Sequence, residues 1–458
     1  MAHATHASAS PAFAPDPPAG DPVDVLAFRA LDVSASASSA PTARLTMTTE
    51  FALRAGRAGA PPGPPRADEP HDNFLKGVRW SPDGVCLLTC GAEDNTFRVY
   101  DIPADLAVVP VPDPSDDDAR LGDARLLPDA LWPALRVRAP ECVYDYAWFP
   151  GMTATDPRTC VFASATRAQP VQCWDACDGS LRASYVAHDH FDEPTAATCV
   201  AFSADGARVF GGFDGSVRAW HLSRPGRDCD AWVAARRGRK TTPGGGLVGC
   251  LAPAPADASL VAAGSYDKTV RVFDATTGEV VLAFEGHAGG VTGAAWSPDG
   301  GYLYTGARRD PEILCWDVRH AAGPVYRCAR ATASTNQRIG FDVEPCGRHL
   351  VSGGEDGCLR AFDLTTGDEV GAWRAAADVV SDFAFHPCAS FGSADAGRVP
   401  RGASVSGNRT FRSPADEDED EDVRGDAGTV DVAPTCALRV WDYATKPLPV
   451  ASRDDSLP

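Results

Sequence analysis

Short runs in which apolar and polar residues alternate recur along the chain and are separated by turn residues. Val78-Arg-Trp80 and the run from Val291 to Trp296 are typical, and such alternation predicts half-buried β-strands. Ser81-Pro-Asp-Gly84 and Ser297-Pro-Asp-Gly300 follow these two runs. In such turns proline presets φ and glycine accepts a positive φ. The pattern therefore predicts an all-β chain of short antiparallel strands.

A dipeptide made of an aromatic residue and a polar one recurs at nearly regular spacing. Trp-Asp itself occurs three times, and four variants fill the gaps. Four of the six intervals measure 43 to 53 residues, whereas the first and last measure 74 and 79. Because a WD-repeat blade has about 40–45 residues, we predict a seven-bladed WD-repeat β-propeller with loop insertions. The dipeptides are Tyr100-Asp101, Trp174-Asp175, Trp220-His221, Phe273-Asp274, Trp316-Asp317, Phe362-Asp363 and Trp441-Asp442.

In five of the repeats an aspartate lies six residues before the terminal aromatic residue. We expect this aspartate in a turn between two strands, where its carboxylate can accept hydrogen bonds that lock the blade. In the fifth repeat the expected partners are His287, Thr305 and Trp316. The five aspartates are Asp94, Asp214, Asp267, Asp310 and Asp356.

The propeller is expected to form one domain over residues 73–442. A closed ring needs a strand from the other end of the chain, and the alternating segment 44–53 is the candidate for this ring-closing strand. Residues 1–43 are rich in Ala, Ser and Pro and are predicted to be a disordered tail. Residues 54–72 are predicted to be a Pro/Gly-rich linker, and residues 443–458 a C-terminal tail.

The chain has 458 residues and a net charge of −20, which argues against bulk electrostatic binding to nucleic acid or anionic lipid but allows a local basic site. Seven carboxylates, Asp416 to Asp422, lie within an acidic insertion at about 412–427. This insertion is either a solvated disordered loop or a docking segment for a basic partner. Fifteen scattered cysteines indicate a reducing compartment. No apolar run approaches the roughly 18 residues of a membrane span, so no membrane partner is expected.

The sequence offers little support for catalysis or for a metal. His188, His190, Asp192 and Glu193 cluster in one loop, but no second pair of ligands lies nearby and no CxxC spacing occurs. The chain also lacks a GxxxxGK[ST] phosphate loop and a GxSxG elbow. We therefore expect no enzyme activity, no metal and no cofactor.

Several motifs that do not belong to the general repeat resemble the family of the telomerase Cajal body protein. They are Asn73-Phe-Leu-Lys-Gly77, Tyr144-Asp-Tyr-Ala-Trp148, Gly179-Ser-Leu-Arg-Ala-Ser184, Arg224-Pro-Gly-Arg-Asp-Cys229, Gly306-Ala-Arg-Arg-Asp310 and Thr335-Asn-Gln-Arg-Ile339. The resemblance implies a non-enzymatic scaffold that binds small Cajal body-type guide RNAs of the H/ACA class and, in some lineages, telomerase RNA with its reverse transcriptase. It also implies dyskerin-containing particles and the cytosolic chaperonin as partners, and a nuclear Cajal-body location after folding in the cytoplasm.

A second hypothesis is a general protein-interaction propeller that assembles a complex without contacting RNA. The arginine-bearing motifs favour the RNA hypothesis. The basic string from Arg224 to Lys240 is either a phosphate-contacting patch or an exposed loop between blades.

Residues just before the first strand of each blade, and those in the turn between its second and third strands, should share one rim. That rim mixes aromatic rings, which can stack bases, with cations, which can contact phosphates; alternatively, the rings only cap the central channel. The candidate aromatic residues are Phe74, Tyr144, Phe213 and Tyr266, and the candidate cations are Lys76, Arg308, Arg309 and Arg338, with Arg224 and Arg227 as further candidates on an outer loop.

Overall fold

The computed structural model describes most of the predicted propeller and a short N-terminal strand. The described residues are 43–53, 74–102, 133–233, 246–320, 322–387, 401–408 and 438–447. The predicted tail up to residue 42, the linker, the acidic insertion, the basic residues 236–240 and the chain after residue 447 lie outside the described residues. Within the described part of the chain, no helix is long and apolar enough to cross a membrane.

The strands form seven four-stranded sheets, which are the blades of the propeller. Blade one contains β2 (Leu75–Trp80), β3 (Cys86–Gly91), β4 (Thr96–Asp101) and β5 (Leu135–Arg138), and blade two contains β6 (Val143–Trp148), β7 (Val161–Thr166), β8 (Val171–Asp175) and β9 (Leu181–Tyr185). Blade three contains β12 (Cys199–Phe202), β13 (Arg208–Phe213), β14 (Ser216–His221) and β15 (Asp230–Val233). Blade four contains β16 (Val248–Pro253), β17 (Leu260–Ser265), β18 (Thr269–Asp274) and β19 (Val280–Glu285).

Blades five and six contain β20 (Val291–Trp296), β21 (Tyr302–Ala307), β22 (Glu312–Asp317) and β23 (Tyr326–Ala329); and β24 (Phe341–Val343), β25 (His349–Ser352), β26 (Cys358–Asp363) and β27 (Glu369–Arg374). A two-stranded hairpin, β10 (Ala187–His188) and β11 (Pro194–Thr195), precedes blade three. The all-β, seven-bladed architecture predicted from the repeat is confirmed.

Blade seven combines strands from both ends of the chain. Its sheet order is β28 (Val380–Phe385), β29 (Arg401–Ser406), β30 (Leu438–Pro447) and then β1 (Ala43–Leu53). The strand at the outer edge therefore comes from the segment that the sequence offered as a ring-closing strand. β30 ends at Pro447, so the last strand extends beyond the boundary at 442. One compact unit, Leu45–Thr445, contains nearly all of these strands.

Tryptophans at the ends of three inner strands join adjacent blades. Trp80, Trp148 and Trp296 each precede the turn into the second strand of a blade. Each indole N–H donates to a main-chain carbonyl of the preceding blade: Ala384 at 3.2 Å, Arg79 at 3.2 Å and Ala252 at 2.8 Å. The first of these bonds links blade one to blade seven, so the inner strands also close the ring.

Blade five contains a continuous chain of buried polar groups. Asp310 Oδ2 lies 2.8 Å from His287 Nδ1, which must carry the proton because a carboxylate only accepts. Thr305 Oγ1–H donates to His287 Nε2 at 2.7 Å, and the same oxygen accepts the indole N–H of Trp316 at 2.7 Å. Burial would raise the pKa of Asp310, but hydrogen bonds from His287 and from Ala288 N–H lower it below its usual value. All four residues that the sequence grouped together are joined here.

The other turn aspartates use different partners. Three of them form ion pairs with the arginine four residues later: Asp94 with Arg98, Asp267 with Arg271 at 2.8 Å, and Asp356 with Arg360 at 2.5 Å. Asp214 is exposed, and Arg218, four residues later, donates to the His188 carbonyl at 3.3 Å. The histidine-based lock that the sequence predicted for blade five is replaced by arginine in three blades.

Candidate nucleic-acid interface

The inner strands of all seven blades line a central channel with a volume of about 1180 Å³. Residues at the starts of the inner strands form one mouth, because each inner strand begins on the same rim. The turns between second and third strands lie on this rim as well, since Leu75 pairs with Gly91 and Val291 pairs with Ala307. Backbone register therefore brings both groups of sequence-predicted residues to one place.

The channel gathers six of the ten residues proposed from the sequence. Tyr144 and Tyr266 are 42% and 37% exposed, so part of each ring is open to a ligand. The six residues come from five blades or from the segments that lead into them. They are Phe74, Lys76, Tyr144, Tyr266, Arg308 and Arg338.

Tyr266 and Arg308 form a stacked pair at the mouth. The guanidinium carbon of Arg308 lies 5.2 Å from the centre of the Tyr266 ring, within the range of a cation–π contact. A side chain at Gly249 would lie 2.7 Å from the Tyr266 ring, and one at Gly289 would lie 1.8 Å from the Arg308 carbonyl. Gly249 therefore makes room for the Tyr266 ring, and Gly289 makes room for the backbone of the turn that carries Arg308.

Lys76 and Arg338 are held by the protein more closely than the sequence indicated. Lys76 Nζ–H donates to the Val143 carbonyl at 2.8 Å. Arg338 lies 3.4 Å from Asp145 of blade two, on the inner strand of another blade. Burial opposes ionisation of Arg338, but Asp145 raises its pKa. These two cations lie inside the channel, and their donors are partly used within the protein.

A layer of charged residues lies deeper in the channel and was not predicted from the sequence. Asp382 lies 2.6 Å from Arg79 and raises the pKa of that guanidinium. Asp342 does not line the channel; it accepts the Phe385 N–H at 2.8 Å, and burial raises its pKa to about 6. A carboxylate within an otherwise apolar inner strand was the available signal. Asp382 and Asp145 are the carboxylates among the channel-lining residues, and each is paired with an arginine.

Four of the ten proposed residues lie outside the channel. Phe213 is only 5% exposed and packs against Trp220 at a centroid distance of 6.2 Å. It is therefore a core residue. Phe74 is also only 5% exposed, so the prediction that these two rings stack bases needs correction. Arg309 is exposed on the rim with a φ of 52°. Arg224 and Arg227 are exposed on an outer loop, where Arg227 pairs with Asp192.

The histidine-containing loop before blade three is a structured hairpin. His190 packs on Phe191 with ring centroids 3.8 Å apart. Asp189 Oδ1 accepts the N–H groups of Phe191 and Glu193. Across the described ranges, no three His, Cys, Asp or Glu side chains converge in a way that could hold a metal ion.

Comparison with known proteins identifies both the repeat and its relatives. The WD domain, G-beta repeat, matches residues 66–101, 179–221, 239–274 and 278–317. Each of these segments ends at one of the seven dipeptides, which confirms the repeat. Telomerase Cajal body protein 1 of Mus musculus is 34% identical over 396 residues, which cover 84% of this chain and 69% of that protein. The Homo sapiens protein is 35% identical over 81% of this chain and 64% of its own length. The Drosophila melanogaster homolog is 31% identical over 64% of this chain and 51% of its own length.

Proposed function

This chain belongs to the telomerase Cajal body protein 1 family, and on that premise we propose that it is a non-enzymatic RNA-binding scaffold. Its ligands are small Cajal body-type guide RNAs of the H/ACA class, and it directs their ribonucleoproteins to nuclear Cajal bodies. The names of its relatives support the location. The resemblance in the arginine-bearing motifs supports the proposal that the ligand is RNA.

The observation that carries the RNA proposal is the mouth of the channel. Tyr144 and Tyr266 present partly exposed rings there, and Arg308 stacks on the second of them. Aromatic faces and guanidinium planes stack unpaired bases, whereas arginines at the edge contact phosphates. Arg309 lies on the same turn as Arg308 and is exposed, so the two arginines of this turn supply two such phosphate contacts.

The proposal includes the partners that the family resemblance implies. Telomerase RNA and its reverse transcriptase would be further clients, dyskerin-containing particles would be the cargo, and the cytosolic chaperonin would assist folding in the cytoplasm. A net charge of −20 opposes non-specific RNA binding. Recognition would therefore depend on the local site rather than on bulk attraction.

The decisive experiment measures how affinity for a guide RNA depends on salt, with and without the Cajal-body box. Each single-strand phosphate contact contributes about 0.7 to the slope of log affinity against log salt. The Arg308→Ala/Arg309→Ala variant should therefore make this negative slope less steep by about 1.4. The matched control is Arg158→Ala/Arg319→Ala. Arg319 also lies over a tyrosine ring, at 5.7 Å from Tyr302, but on the opposite rim.

Other outcomes would redirect the proposal. A slope that changes only in Arg236→Ala/Arg237→Ala would move RNA binding to the basic loop outside the described residues. If the purified protein binds neither RNA, and particles are recovered only through a protein partner, the general protein-interaction propeller is the correct function.

A further inference from the structure

The guanidinium of Arg330 lies directly behind the channel mouth. Arg330 follows β23 and is 5% exposed. Its Nη2–H donates to the Ala307 carbonyl and its Nη1–H to the Ile339 carbonyl, each at 3.2 Å. Ala307 precedes Arg308, and Ile339 follows Arg338. One buried side chain therefore joins the backbone beside two channel arginines that belong to different blades.

The Arg330 side chain is closely packed on two sides. A Cβ at Gly306 would lie 2.7 Å from Arg330 Nη2 and 2.9 Å from Phe341 Cε1. The guanidinium carbon lies 5.8 Å from the centre of the Phe341 ring. Arg330 thus occupies a slot between the Gly306 backbone and an aromatic residue of the channel wall. This slot gives a physical reason for the glycine that opens the Gly306-Ala-Arg-Arg-Asp310 motif.

The charge of Arg330 is balanced in an unusual way. Buried arginines are normally paired with a carboxylate, but the hydrogen-bond acceptors of Arg330 among the described residues are main-chain carbonyls. Burial lowers the pKa of Arg330 to about 10, so the group remains charged at neutral pH. Asp310 acts on it through space, while its carboxylate is bound by His287. Its two hydrogen bonds to carbonyls of different segments are therefore the contacts through which this residue acts on the mouth.

The rest of the loop before blade six is fixed in the same way. Thr332 Oγ1–H donates to the Asp310 carbonyl at 2.6 Å. Ser334 Oγ–H and Thr335 N–H both donate to Glu355 Oε2 at 2.8 Å. The segment that carries Arg338 is therefore tied to the turn of blade five and to that of blade six, with Arg330 as its innermost tie.

We propose that Arg330 is a positioning residue of the RNA site, holding Arg308 and Arg338 at a fixed separation across the boundary between blades five and six. This inference rests on the proposed function. It requires that Arg330 affect RNA binding through these two arginines, and not only through the stability of the fold.

The test compares Arg330→Met and Arg330→Lys with a matched control, Arg439→Met. Arg439 is 9% exposed in blade seven and donates to the Ala375 carbonyl, and it does not line the channel. Thermal unfolding and affinity for a guide RNA with the Cajal-body box are measured for each full-length variant. Both methionine variants should unfold at a lower temperature. Arg330→Met should weaken RNA binding about tenfold, because misplaced neighbours couple energetically, whereas Arg439→Met should change it less than about twofold.

Arg330→Lys keeps the charge and can reach one carbonyl, so it should recover part of the lost affinity. This variant carries the test if Arg330→Met fails to fold. In an Arg308→Ala/Arg338→Ala background, replacing Arg330 should weaken binding by about threefold or less, because there is little left to position. A full tenfold loss in that background, or an equal loss in Arg439→Met, would overturn the inference.

The same measurements separate the inference from the function on which it rests. If Arg308→Ala/Arg338→Ala leaves RNA affinity unchanged, the proposed RNA site itself is wrong. If that variant weakens binding while Arg330→Met behaves like Arg439→Met, the RNA site stands and the role of Arg330 is structural.

Discussion

Blades five and three have the same repeat pattern but different interiors. Each has four strands and an aspartate six residues before a tryptophan. In blade five Trp316 donates to the Thr305 hydroxyl. In blade three Gly211 occupies the strand position that corresponds to Thr305, and Trp220 Nε1 has no hydrogen-bond partner among the described residues. The repeat therefore determines the strands of a blade but not the polar groups inside it.

Blade three is stabilised by aromatic packing instead of a polar chain. The Trp220 ring lies 6.1 Å from Tyr185 and 6.2 Å from Phe213, measured between centroids. A Cβ at Gly211 would lie 3.2 Å from the Trp220 ring, so the glycine makes room for this packing. In blade five His287, the histidine of the lock, precedes the inner strand β20. Before the inner strand of blade three, β12, the chain instead forms the hairpin of β10 and β11.

Turn length explains why the two blades contribute differently to the channel mouth. Four residues separate β21 from β22, whereas two separate β13 from β14. Arg308 and Arg309 therefore lie in a turn on the rim. Phe213, at the corresponding distance before its aspartate, is still the last residue of a strand and is buried. A shared spacing to the aspartate does not guarantee a shared exposure.

Removing the hydroxyl of Thr305 should have the largest effect on the lock of blade five. Thr305→Val leaves two buried groups, the indole N–H of Trp316 and Nε2 of His287, without a partner. Since each unsatisfied buried group costs about 1–3 kcal/mol, we expect a loss of about 2 kcal/mol or more in the free energy of unfolding. Chemical denaturation measures it. A loss within 0.5 kcal/mol, the usual range for surface sites, would mean that water replaces the hydroxyl.

Replacing the turn aspartate should destabilise the protein more in blade five than in blade three. Asp310→Ala removes the acceptor of His287 and of Ala288 N–H and should lower the free energy of unfolding by about 1–3 kcal/mol. Asp214→Ala alters an exposed side chain and should cost less than about 0.5 kcal/mol. Equal losses at the two positions would show that the carboxylate acts through the turn alone.

The contribution of Asp310 to the free energy of unfolding should also depend on pH, with a smaller effect than the substitutions above. Folding lowers the pKa of Asp310 below its usual value of 3.8. Its ionised form therefore stabilises the fold above that value, and this contribution is lost as the pH falls through the lower, folded-state pKa. The difference in unfolding free energy between the wild type and Asp310→Asn should narrow between pH 5 and pH 3. Asp214→Asn should stay within about 0.5 kcal/mol of the wild type throughout. A constant difference for Asp310→Asn would assign the effect to shape rather than charge.

The blade architecture was predictable because its signals are local. The spacing of Asp310 and Trp316, and the turns that end at Gly84 and Gly300, lie within a few residues of each other. The pairing of adjacent strands places these turns on the rim, and Tyr266 and Arg308 therefore lie together where the sequence predicted them.

The charged layer of the channel could not be predicted in the same way. Arg338 and Asp145 are 193 residues apart, and Arg79 meets Asp382 only because blade one closes onto blade seven. Such pairs depend on the radius of the ring and on which inner-strand side chains face its axis. The role of Arg330 was equally unpredictable, because it depends on two carbonyls from different segments.

The edge strand of blade seven has a consequence for biosynthesis. β1 leaves the ribosome long before its partner β30, which ends at Pro447. At about 5–20 residues per second, the intervening chain takes about 20–80 seconds to synthesise. During this interval β1 has no native neighbour, and an unpaired strand edge readily joins another chain. Shielding of β1 until β30 has emerged would prevent such pairing.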